Sequence, residues 1–164
     1  MKALILSIIL AFGIVTVNAQ QINSVDNVTA HYIGLKEALV NSNAELAKSK
    51  SGELLAALTA FPVKTLQPKQ QKILATYLTK LKYDSRHISE TTVIDHQREH
   101  FQSLSKNMYA LLSGLNLNSS PLYQQYCPMK KAYWLSESTD IRNPYYGSDM
   151  MECGKVTATL KAGK

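Results

Sequence analysis

Apolar residues recur at three- and four-residue spacing from Val25 to Leu115, and that period belongs to helices packed along one face. Val25, Val28, Tyr32, Leu35, Leu39 and Leu46 follow it, with Ser42 in the missing slot and Ser24 or Asp26 placed to cap the start. The polar patch AKSKSG then leads into Leu54, Leu55, Leu58 and Phe61. The pattern leaves open whether that patch breaks the helix or only bends it. Pro62 ends the run, because proline cannot donate and clashes with the preceding turn.

A further helix is predicted from near Pro68, a residue suited to a first turn. Ile73, Leu74, Tyr77, Leu78 and Leu81 form its inner face, which fades towards His87 and Ile88. The cleanest stripe is Ile94, Gln97, Phe101, Leu104, Met108, Leu111 and Leu115, closed by Gly114 and the polar NLNSSP segment. Short connections favour antiparallel neighbours, so the expected fold is mainly α, an up-and-down bundle of three to four helices.

From Pro121 the texture changes to tyrosines, Trp134, both cysteines and three of the five methionines. Leu122–Cys127, Ala132–Leu135 and Val156–Leu160 read as short strands, and NPYYG as a turn. The tail, residues 121–160, is expected to form a small C-terminal cap of strands and turns carrying both cysteines.

The N-terminus reads as an export signal over residues 1–19. Met1-Lys2 gives a short positive region, an uncharged apolar run follows from Ala3 to Val17, and Val17-Asn18-Ala19 suits cleavage before Gln20. The run is shorter than the ~20 residues a spanning helix needs, and no basic stop-transfer cluster follows, so no stable membrane anchor is expected. Residues 20–164 then form one domain. The basic excess is dispersed, and no aromatic-interleaved basic stripe appears, so nucleic acid is not an expected partner.

Chemistry is concentrated in the tail. Cys127-Pro128-Met129 and Met150-Met151-Glu152-Cys153 form a soft-donor set, and thiolates and thioethers select copper(I) and similar ions over magnesium or calcium. Cys127 and Met129 would share a face if both lay on a strand, as would Met151 and Cys153. Two alternatives stand beside each other here. An exported chain with two cysteines also suits one structural disulfide, Cys127–Cys153.

The run YCPMKKAYWLSESTDIRNPYYGSDMMECGKV resembles the signature of the bacterial domain of unknown function family 3347, and QREHFQSLS and YIGLKEALV are similar to its helices. The resemblance implies a periplasmic domain, found alone or fused to adaptor subunits of heavy-metal efflux pumps, with Cys127, Met129, Met150 and Cys153 at its sulfur positions. It picks Met150, where strand alternation from Cys153 picks Met151.

His96 and His100 stand at i and i+4 on one helix face. HQREH lacks the glutamate of the zinc-protease motif, since Gln97 takes that place and Glu99 is at the wrong offset. A divalent ion remains within reach of two imidazoles, and His100 is the better fifth donor to the sulfur set if the tail folds back on this helix, with His96 the weaker one. His31 and His87 read as surface residues. No phosphate loop, nucleophile elbow or CxxC pair appears, so the expectation is not an enzyme. It is a periplasmic carrier of copper(I) or another soft heavy-metal ion. The alternative is a disulfide-stapled module docking on an efflux adaptor or other envelope protein.

Overall fold

The computed structural model describes residues 2–163, with side chains from Gln20 onward, so the expected export signal over 1–19 lies outside the described side chains. Four helices run α1 (Lys2–Val40), α2 (Ala44–Thr59), α3 (Pro68–Ser89) and α4 (Ile94–Leu115), followed by strands β1 (Leu122–Cys127), β2 (Ala132–Ser136) and β3 (Lys155–Leu160). Each helix packs on the next across a short connection, the up-and-down order expected, and β2 rests on α4. Among the described residues, no helix is long and apolar enough to cross a membrane.

The first break falls earlier than the polar patch suggests. α1 ends at Val40, Ser42 turns the chain with φ 52°, and Asn43 caps α2 by accepting from the Leu46 N–H at 2.9 Å. AKSKSG lies inside α2, where Ala47, Ser51, Leu54 and Leu58 are buried, so its lysines belong to a solvated face. Leu46, placed in the first stripe by spacing, is 41% exposed. Ser24 and Asp26 do not cap α1 either, because the helix already runs through them. Ser24 Oγ donates to the Gln20 carbonyl, and Asp26 accepts from the Ser119 N–H.

α3 opens with a capping box between Gln67 and Gln70, with Pro68 in its first turn. Its inner face continues to a fully buried Ile88 rather than fading. α4 runs past Gly114 and ends on Asn116, the first residue of the NLNSSP segment expected to close it, whose φ of 51° is the left-handed cap conformation. Gly114 instead allows a close approach of helices. A Cβ there would stand 2.9 Å from Ile73 Cγ2, so α3 and α4 meet closely at that point.

The strands fall within one residue of expectation and form an antiparallel sheet in the order β2-β1-β3. A buried polar post ties it to the bundle. Tyr32 on α1 shares a hydrogen bond with Ser105 on α4 (2.8 Å) and accepts from the Leu135 N–H on β2 (3.0 Å). Phe101 stacks on Tyr32, and Leu104, Met108, Trp134 and Leu135 join the same apolar core. In the QREHFQSLS segment on α4, Arg98, Phe101, Leu104 and Ser105 are all buried, so these positions of the resemblance serve packing.

Candidate functional site

The β1–β2 hairpin places Cys127 at the last strand position, opposite Ala132, and Lys131 turns the chain back with φ 55°. Cys153 arrives from the other side, after the NPYYG turn and the 3-10 turn Gly147–Met150. The two sulfur atoms stand 3.3 Å apart, both cysteines free. No bond joins them in this structure, since a bonded pair lies at about 2.0 Å. Cys127 is fully buried and Cys153 half-buried.

Asn143 organises this site. Fully buried, it donates from Nδ2 to the Cys153 carbonyl at 2.9 Å and accepts at Oδ1 from the Tyr145 N–H at 2.9 Å. Its backbone N–H reaches the Met151 carbonyl, and its own carbonyl takes the Gly147 N–H. Gly154 completes the fit, because a Cβ there would meet Trp134 and Ile141 at 2.9 and 3.0 Å. The chain thus passes directly over the indole as it leaves Cys153.

The two thiols are unequal. Burial pushes the Cys127 thiol up, but the Lys130 N–H, the Cys153 thiol, the Asn143 amide and the Met129 N–H together hold it below the ordinary thiol value. Cys153 moves the other way, raised first by its hydrogen bond to Cys127 and then by burial. Of the two, Cys127 is therefore the thiol that gives up its proton first, with Cys153 placed to donate to it once it has.

The thioethers are placed less centrally than strand alternation implies. β1 stops at Cys127, so Met129 lies in the hairpin turn, where its side chain is 64% exposed. Met150 ends the 3-10 turn at 39% exposure, and Met151 is half-buried behind it. The Cys153 N–H donates to the Met150 carbonyl at 3.1 Å, so the backbone keeps Met150 beside the pair.

His100 does not join the sulfurs. Among the described residues, the hydrogen-bond and ring partners of His100 lie on α3 and α4: Asp84, Tyr83, His87 and His96. One ring nitrogen from each of His87, His96 and His100 lies within 4.8 Å of the others. His87, expected at the surface alone, is thus half-buried against His100, while His31 pairs with Glu53 at 3.2 Å. Sequence reasoning misses His87 because a contact between two helices leaves no mark in the period of either. Asn143 does leave one: Asn-Pro followed by a hydrogen bond two residues on is an Asx-turn signal.

The family model described as "Protein of unknown function (DUF3347)" matches residues 28–120, more than half of the chain. The match runs from within α1 to just before β1, so the cysteines lie beyond its end. No curated protein and no solved structure matches the chain.

Proposed function

From the premise that the chain belongs to the DUF3347 family, we propose that it is a non-enzymatic carrier of a soft metal ion, copper(I) or another heavy-metal ion. The family description assigns no activity, so the reading rests on one observation: two cysteines from separate segments converge to 3.3 Å, with Cys127 held towards its thiolate. Thiolate is the form that ligates, and soft sulfur selects soft ions. With metal–sulfur bonds of about 2.3 Å, two sulfurs at a tetrahedral angle stand about 3.8 Å apart. The pair therefore needs to open by only about half an ångström. Exposed Met129 and Met150 are weak, exchangeable donors at the rim, suited to receiving an ion and passing it on. The compartment of this work is the periplasm, and the receiver a heavy-metal efflux adaptor or another envelope protein.

The same proximity suits the alternative, in which the thiols oxidise to a staple for an interaction module. Thiol titration under anaerobic conditions separates the two. After reduction both thiols react with a chromogenic disulfide, and one equivalent of copper(I) is expected to withdraw both from reaction. Unchanged thiol reactivity in the presence of copper(I) contradicts the carrier. A bridge that persists in protein purified without reductant, and that gives no copper(I) protection once opened, supports the module.

A further inference from the structure

We propose that His87, His96 and His100 form a second metal site, distinct from the thiol pair, for a borderline divalent ion of the zinc(II) or copper(II) class. His96 and His100 project from one face of α4 four residues apart, and His87 comes from the last turn of α3 across the short connection Glu90–Val93. The His87 and His100 rings stack at 4.7 Å with planes 8° apart, and His96 meets His100 edge-on at 4.7 Å. Three imidazoles on two packed helices are held on rigid elements, which is where a ligand set keeps its geometry.

A plain aromatic stack would account for the rings, but not for what lies behind them. Asp84 is 4% exposed, and among the described residues its side chain hydrogen-bonds only to His100 Nδ1, at 3.2 Å. A carboxylate on one imidazole nitrogen fixes the tautomer and leaves Nε2 as the atom free to ligate, the arrangement that orients metal-binding histidines. The buried carboxylate also offsets part of the charge of a divalent ion. Imidazole suits zinc, copper and nickel, while the all-nitrogen donor set separates its preference from that of the thiol pair.

Metal–nitrogen bonds of about 2.0–2.1 Å at tetrahedral angles place ligand nitrogens about 3.3 Å apart. The present limit of 4.8 Å therefore closes by rotation of the side chains, which the exposed His96 and half-buried His87 permit. Three protein ligands, one of them exposed, leave the fourth position to water or to an incoming ligand, as at an exchanging site rather than a closed structural one.

The test is zinc(II) competition against a chromophoric indicator, using the full chain carrying Cys127→Ser/Cys153→Ser so that the thiols take no part. One equivalent is expected to bind. His96→Gln and His87→Gln should abolish binding, and Asp84→Asn should weaken it about 10–100-fold. Binding unchanged in the histidine variants, or none at all, overturns the site whatever the thiol pair does. Cobalt(II) on wild-type protein covers the case where the serine variant fails to fold. Tetrahedral visible bands without a thiolate charge-transfer band, lost in His96→Gln, support the site. A visible spectrum that His96→Gln leaves unchanged overturns it.

Discussion

Arg98→Met is expected to cost about 2–4 kcal/mol of stability and to lower Tm by roughly 5–15 °C. Arg98 is 9% exposed, its guanidinium set between three separate segments. Nε donates to the Pro144 carbonyl at 3.0 Å, and Nη2 donates to the Leu39 carbonyl at 3.3 Å and to Ser42 Oγ at 2.9 Å. It thus ties the end of α1 and the α1–α2 turn to α4 and to the NPYYG turn. Methionine keeps most of the stem but leaves the Pro144 carbonyl without its donor and the Leu39 carbonyl with only the Ser42 N–H, and an acceptor left unpaired is the expensive half of losing a hydrogen bond. Lysine should recover little, because a single ammonium cannot reproduce the fork. Chemical denaturation checks this, and a change below about 0.5 kcal/mol would contradict it. Gly147, with φ 58° and a Cβ position 3.0 Å from Arg98 Nη2, shows how closely the clamp is fitted.

Asn143→Ala should be nearly as damaging and should also change the chemistry of the thiols. It leaves the Cys153 carbonyl and the Tyr145 N–H without partners, a loss of about 2–4 kcal/mol. It also removes an amide that stabilises the Cys127 thiolate, so the first thiolate step in an ultraviolet titration moves to higher pH. Asn143→Asp should move it further, by setting a carboxylate against the sulfur. A first step that stays in place in both variants would show that Asn143 does not act on Cys127.

The sign of the linkage follows from the two thiols. Cys127 has a folded-state value below the ordinary one, so the native state releases its proton first and stability rises as pH climbs towards the ordinary thiol value. As pH falls back through the folded value, that contribution is lost. Cys153 is raised, so above the ordinary value its effect reverses and stability falls. Cys127→Ser should remove the rise.

The helices and strands are legible in the sequence because burial imposes a period on each. Spacing alone places Leu35, Leu81, Phe101 and Leu104 inside. It places Tyr32 there too, but does not reveal that its hydroxyl joins α4 to β2. What escapes the sequence is set by contacts between elements. AKSKSG resembles a break because a solvated helix face and a loop have the same composition, whereas Asn43 carries the boundary. The convergence of Cys127 and Cys153 is legible as a pair. Met129 falls outside it because the strand ends at Cys127, before the alternation can reach the thioether. His100 would approach the sulfurs only if the tail folded against it. Asp84 and His87 occupy its ring instead, and neither is announced by the α4 sequence.

The most direct measurement is anaerobic competition for copper(I) between the reduced protein and a chromophoric chelator, beside Cys127→Ser/Cys153→Ser. The wild-type chain should withdraw one equivalent and the variant none, with Met129→Leu and Met150→Leu weakening the competition without abolishing it. A wild-type chain that fails to compete after full reduction, or a variant that competes equally well, would contradict a thiol-based carrier.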